Sequence, residues 1–135
     1  MKMKFEGYEL FIDIDNDFDC FLQSRTFGYI RENWKYMRSL LRDKEIFIQK
    51  LEYRRSSSGH VHLRLTLSMM PDVIDQFKLR SLLHDDPWRI GIDLRRLAIQ
   101  GPEEINRIFD RKIKNGITHV VGPWLDISAR VGDRK

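Results

Sequence analysis

Ser56-Ser57-Ser58-Gly59 running into His60-Val61-His62-Leu63-Arg64-Leu65 is the stretch that most restricts how this chain can fold. The serines and glycine make a turn, and beyond it polar or ionisable side chains alternate strictly with apolar ones. A period of two belongs to a strand with one dry face and one wet face. His60, His62 and Arg64 share the wet face, so two histidines project together just past a turn. Residues 45–54, rich in Ile, Phe and Tyr, read as the partner strand of a hairpin.

The same alternation marks Tyr8 to Asp15, with Leu10, Ile12 and Ile14 on one face and Glu9, Phe11, Asp13 and Asp15 on the other. Between these strands, residues 21–43 carry apolar side chains at helical spacing (Tyr29, Ile30, Trp34, Met37, Leu40, Leu41) and predict a long amphipathic helix. A second helix opens at Pro71-Asp72, runs to about Leu83, and is closed by His84-Asp85-Asp86-Pro87. The next segment, "WRIGIDLRRLAI", supports two readings. Asp86 before Pro87 has the form of a helix N-cap, whereas Ile90, Ile92 and Leu94 alternate as in a strand, and the strand is the reading preferred here. A helix over residues 102–114, ended by Asn115-Gly116, and a short strand over 117–121 complete the pattern. Residues 129–135 read as a basic C-terminal tail, leaving residues 1–128 as a single domain.

Strand, helix, strand, strand, helix is the order of a split βαβ unit. The expected fold class is therefore α+β, a ferredoxin-like or RRM-like sheet with helices packed on one face. In that arrangement the first and third strands are neighbours, which brings Asp13 and Asp15 beside His60 and His62.

A chain of 135 residues is long enough to bury a core without staples, and its single cysteine rules out both an internal disulfide framework and a cysteine-based zinc cluster. Met1-Lys2-Met3-Lys4 leads into an alternating segment, so no signal peptide or membrane span is expected and a cytoplasmic location is. Lys and Arg outnumber Asp and Glu 24 to 20, which favours polyanionic partners. The charge is uneven: residues 12–19 are acidic, whereas Tyr53-Arg54-Arg55, Arg95-Arg96 and 107–114 are basic. Carboxylates that hold a cation amid arginines that hold phosphates suit a metal-dependent enzyme of nucleic acids or nucleotides. Charge-rich surfaces also serve stability alone.

Asp13 and Asp15 stand at i and i+2 on one face, close enough to share a divalent cation that would relieve their repulsion, or else simply facing solvent. Asp17 and Asp19 read as capping or loop residues; the run is not a calcium loop, because Phe18 occupies the place of the turn-making glycine. His60 and His62 are an incomplete metal site by themselves. They can work with the aspartates or donate to phosphate, and the amides of the Ser58-Gly59 turn can cradle an anion. Asp85-Asp86-Pro87 is most economically a turn and cap. Asp93 is a third carboxylate if its segment is a strand, and an arginine's neighbour if it is a helix. Phe27, Tyr29, Trp34 and Tyr36 suit core packing better than base stacking.

Taken in order, "FIDID", "SSSGHVHL" and "IGIDLR" resemble the catalytic core of the archaeo-eukaryotic primase and primase-polymerase superfamily. The resemblance covers about two dozen positions in three short pieces of the chain. It implies an RRM-like sheet, a role in DNA replication, and two Mg²⁺ or Mn²⁺ ions held by Asp13, Asp15 and Asp93. It also implies that His62 meets the phosphates of an incoming nucleotide and that Ser58 and Gly59 shape the turn beside His60. The implied reaction is nucleotidyl transfer. Arg54, Arg55, Arg95 and Arg96 are the candidates for substrate phosphates, and the small size suits a viral or plasmid protein.

Two other readings use the same residues. His60-Val61-His62 also fits the His-hydrophobic-His motif of relaxases, which nick DNA with a tyrosine nucleophile. No tyrosine follows Tyr53, so only Tyr29 or Tyr36 on the first helix can fill that role. The remaining reading is a non-catalytic nucleic-acid-binding module on an RRM-like sheet.

Overall fold

The computed structural model describes residues 8–102, 105–106, 111–114 and 117–132, the two segments 111–114 and 117–120 by their main chain. It is an α+β fold. A four-stranded antiparallel sheet runs in the order β1-β3-β2-β6, formed by β1 (Tyr8–Ile14), β2 (Ile48–Arg55), β3 (Val61–Leu67) and β6 (Leu125–Asp126). Strands β4 (Arg111–Lys114) and β5 (Ile117–Val120) form a separate two-stranded hairpin. The split βαβ core is present, but the fourth strand lies beside β2, not beside β1 as in a ferredoxin-like sheet.

Among the described residues, four helices accompany the sheet: α1 (Arg25–Arg42), α2 (Val73–Leu82), α3 (Pro87–Gln100) and α4 (Ser128–Val131). Ser24 caps α1 by accepting from the Phe27 N–H, and Asp72 caps α2 by accepting from the Asp75 N–H. A 3-10 segment, Phe18–Gln23, precedes α1, and Asp17 caps it by accepting from the Asp19 N–H, as expected of Asp17, whereas Asp19 lies within its first turn.

The core lies on one side of the sheet. Leu10, Ile12 and Ile14 of β1, Val61, Leu63, Leu65 and Leu67 of β3, and Leu51 and Tyr53 of β2 pack against Ile30, Trp34, Met37 and Leu41 of α1. The period of two in the strands and of 3.6 in the helix bury the same layer. Among the described residues no helix is long and apolar enough to cross a membrane.

Three expectations are corrected. Residues 87–100 form a helix, not the strand preferred from sequence: the Asp86 side chain accepts from the Trp88 N–H and Pro87 fills the first turn. Ile90 and Leu94 satisfy both periods, so alternation alone could not decide the segment. Residues 111–114, expected at the end of a helix, are a strand paired with β5, while 103–104 and 107–110 of that expected helix lie outside the described residues. Ser128–Val131 is a helical turn with Val131 buried, so the core extends past the expected start of the tail at residue 129.

The free edge of β1 is closed without a strand. Asn106 donates from Nδ2 to the Glu9 carbonyl (2.7 Å) and accepts at Oδ1 from the Phe11 N–H (2.7 Å). Arg89 Nη1 donates to the Phe11 carbonyl (2.9 Å). Asp85 Oδ1 accepts from the Asp13 N–H (2.8 Å), and the Asp86 N–H donates to the Asp13 carbonyl (2.7 Å). Side chains and one loop amide thus supply the partners that a neighbouring strand would have given.

Candidate functional site

The β1–β3 register sets Asp13 opposite His62, and the β2–β3 register sets His62 opposite Arg54. These three side chains therefore form one row across the sheet, on the face turned away from the helices. Asp15 and His60 stand just beyond it, with His60 Nδ1 3.3 Å from Asp15 Oδ1. The expected meeting of the FIDID aspartates with the two histidines is what the structure shows.

Arg54 fixes the chemistry of His62. Its Nε donates to His62 Nδ1 at 3.1 Å. A guanidinium is only a donor, so Nδ1 must be the acceptor and the imidazole proton resides on Nε2. Nε2 in turn points toward Asp13, 4.0 Å from Oδ1. His62 is a neutral ring presenting an N–H at the row's centre, with neither nitrogen offering a lone pair to a metal. The arrangement is buttressed by Trp124, whose ring lies under 5 Å from the guanidinium carbons of both Arg54 (4.2 Å) and Arg64 (4.4 Å). Arg64 is itself tied to Glu52 at 2.8 Å. Nothing in the local sequence announces Trp124; it arrives on the segment that leads into β6.

The Asp13 carboxyl is pushed above its ordinary range, chiefly by burial, with Asp85 and Asp86 adding to the rise and Arg89 and His60 opposing it. Its side chain is 40% exposed and that of Asp15 is 82% exposed. Behind Asp13 lies a buried ionic cluster. Arg80, fully buried, donates from Nε to Asp85 Oδ2 at 2.6 Å, and Arg89 Nη1 reaches the same oxygen at 2.8 Å. Arg80 Nη1 also stands 2.8 Å from Asp93 Oδ2, an ion pair whose N–H does not lie along the contact, so that neither Nη atom makes a hydrogen bond among the described residues.

Asp93 belongs to that cluster and does not join Asp13 and Asp15. It is buried on α3 between Arg80 and Arg96, with Arg96 Nη1 3.3 Å from its Oδ1. This is the arginine-neighbour alternative, not the third ligand expected from "IGIDLR". Asp86 does the capping, which leaves Asp85 to grip β1 and Arg80; an acid pair before Pro87 with only one cap to fill was the available signal.

Other predicted residues are placed differently. The turn amides are already occupied: Ser56 Oγ accepts from the Ser58 and His60 N–H groups, and the Ser56 carbonyl accepts from the Gly59 N–H. The turn is self-contained and offers those amides to no phosphate. Gly59 sits at φ +86°, the left-handed region that favours glycine. Arg55 pairs with Asp19 at 2.6 Å and lies over Phe18. Arg95 is exposed on α3. Arg54 and Arg55 are successive residues of β2 and point to opposite faces of the sheet, so the four arginines are not one patch.

Tyr29 and Tyr36 stay in the helical layer. Tyr29 stacks on His84, and Tyr36 lines an apolar groove with Phe77, Leu94 and Leu97. The sheet stands between them and His62, which lies on the face opposite the core.

Among the described residues, no three His, Cys, Asp or Glu side chains are gathered so as to hold a metal ion. Asp13 and Asp15 alone suit a hard divalent cation that keeps water and takes its remaining ligands from phosphate, as Mg²⁺ commonly does. A closed site made of protein ligands is not what this donor set builds. Comparison with protein-family models, curated proteins and solved structures finds no match to this chain.

Proposed function

We propose that this chain is a metal-dependent nucleotidyl transferase acting on nucleic acid, of the primase-polymerase kind. The observation that carries the reading is the row Asp13, His62, Arg54, in which His62 is held as a hydrogen-bond donor on the side facing an aspartate. A neutral imidazole N–H is suited to a phosphate oxygen, and Arg54 behind it adds positive charge without competing for the ligand. Asp13 and Asp15 would hold a Mg²⁺ or Mn²⁺ ion together with the nucleotide's phosphates, and the ion would offset charge on the reacting phosphate.

In this reading His62 orients the triphosphate while a 3′-hydroxyl attacks the α-phosphorus. The new O–P bond forms as the bond to pyrophosphate breaks, and the hydroxyl proton leaves to solvent. The protein's share is positioning and screening of charge, which suits a site with few reactive side chains. The relaxase-like reading is less well supported, because His62 offers no lone pair to a metal and neither tyrosine reaches it. An exposed single cysteine fits a reducing, cytoplasmic setting.

The withdrawal of Asp93 into the ionic cluster favours a second reading, a sheet that binds nucleic acid without catalysis. One denaturing gel separates the two. Labelled primed and single-stranded DNA is incubated with nucleoside triphosphates and Mg²⁺ or Mn²⁺, beside an Asp13→Ala/Asp15→Ala variant. Lengthened products that vanish in the variant support transfer; an unchanged substrate that nonetheless binds supports the binding module. Substrate that is neither extended nor bound overturns both.

A further inference from the structure

Helix α3 presents a second apolar surface that the fold does not use. Leu94 and Leu97 face the groove shared with α2. Around the other side, Trp88, Ile92, Arg95 and Ile99 follow at i, i+4, i+7 and i+11, which aligns them in one stripe. All four are exposed, Trp88 by 78% and Ile99 by 77%. Three large apolar side chains exposed along one helix face, Trp88, Ile92 and Ile99, form the kind of contiguous patch that marks an interaction surface.

The start of this stripe is fixed relative to the candidate site. The Asp86 N–H donates to the Asp13 carbonyl, Asp85 accepts from the Asp13 N–H, and Arg89 reaches the Phe11 carbonyl. Trp88 is two residues from that contact, and the stripe leads away from it along the helix axis. Arg95 lies about 10 Å further on by the helical rise. It is exposed and has no ion-pair partner among the described residues.

We propose that the outer stripe of α3 seats a single strand of nucleic acid, with a base stacked on Trp88 and a phosphate paired with Arg95. This rests on the nucleotidyl-transfer reading above and adds the place where the strand lies. The stripe's one charged member is cationic, in a chain of net charge +4, so its complement is an anion. A second copy of the chain would bring the same cationic stripe against itself, and a wholly apolar partner would leave Arg95 buried without a counter-charge. An indole face beside a guanidinium is the combination that single strands use without regard to sequence.

The test is fluorescence anisotropy of a labelled oligothymidylate with the full chain and its Trp88→Ala, Trp88→Phe, Arg95→Ala and Asp13→Ala variants, run beside the extension gel. Trp88→Ala is expected to weaken binding about 5- to 100-fold. Trp88→Phe retains most of the affinity, and Arg95→Ala lowers the salt slope by about one. Asp13→Ala loses extension but keeps the oligonucleotide. Wild-type affinity in both Trp88→Ala and Arg95→Ala, with extension intact in the wild type, overturns the stripe assignment and leaves the site reading standing. A wild-type chain that neither extends nor binds removes the reading itself. Loss of self-association in Trp88→Ala, seen by sedimentation with oligonucleotide affinity unchanged, overturns the proposal in favour of a protein contact.

Discussion

Asp85 holds Asp13 by its backbone: Oδ1 of Asp85 accepts from the Asp13 N–H at 2.8 Å while Oδ2 takes the Arg80 and Arg89 guanidiniums. One buried carboxylate therefore joins the strand that carries the site to the helices behind it. Asp85→Ala leaves Arg80 buried with a weaker set of acids and the Asp13 amide without a partner. A loss of about 3–5 kcal/mol of stability is expected from breaking such a pair, read as a lower urea midpoint. Asp85→Asn keeps an acceptor for Asp13 and is expected to lose less. Equal midpoints for wild type and Asp85→Ala would show that the cluster contributes nothing.

The raised carboxyl of Asp13 gives a pH dependence with a definite sign. A folded pKa above the unfolded 3.8 means that the folded state binds the proton more tightly. That contribution is present in acid and lost as the pH rises from the unfolded value through the folded one. With a chelator present, Asp13→Asn is expected to be at least as stable as the wild type at neutral pH. Its advantage shrinks as the pH is lowered toward 3.8. Unfolding midpoints of both proteins across that range decide it, and a variant that is less stable at neutral pH contradicts the expectation.

The tautomer of His62 can be seen directly. Nitrogen-15 spectra of the imidazole are expected to show an unprotonated Nδ1 and a protonated Nε2, because Arg54 Nε donates to Nδ1. Arg54→Met keeps an apolar stem near Trp124 but removes the donor, and the two tautomers should then mix. A protonated Nδ1 in the wild type would remove the basis for His62 as a phosphate donor.

Asn106 has a φ of +65°, and its side chain serves both Glu9 and Phe11. Asn106→Gly keeps the backbone conformation and loses the side chain; Asn106→Ala loses both. Each unsatisfied backbone group costs about 1–3 kcal/mol where it is shielded from water. The Phe11 amide is expected to exchange faster with solvent in both variants, with Asn106→Ala the less stable of the two. Unchanged exchange at Phe11 would show that water replaces the side chain without penalty.

Much of the site could be read from local pattern. Alternation at Tyr8–Asp15 and His60–Leu67 determined which side chains face together, and the chain order made β1 and β3 neighbours, so Asp13 fell beside His62. The features that local pattern does not carry depend on partners distant in sequence. Nothing near Arg80 says that a helix arginine is fully buried, since its acids sit on the loop and helix that follow. Asp93 is ambiguous in sequence because Ile90 and Leu94 fit either period, and the Asp86 cap with Pro87 is the local signal that agrees with the observed helix. Trp124 reaches Arg54 from a segment about seventy residues later, which no spacing argument connects.

The closed flank of β1 also bears on how molecules of this protein can meet. An outermost strand ordinarily templates another: its idle amides and carbonyls recruit a foreign segment, and repetition yields fibrils. From the Glu9 carbonyl to the Asp13 carbonyl the outward-facing groups are already engaged by Asn106, Arg89, Asp85 and Asp86. A chain seeking to add itself there would first have to evict residues that also anchor α3 and its buried charges. The carboxylate of Asp13 is thereby carried on a strand whose outer edge, from Glu9 to Asp13, offers no free backbone partner to a further strand.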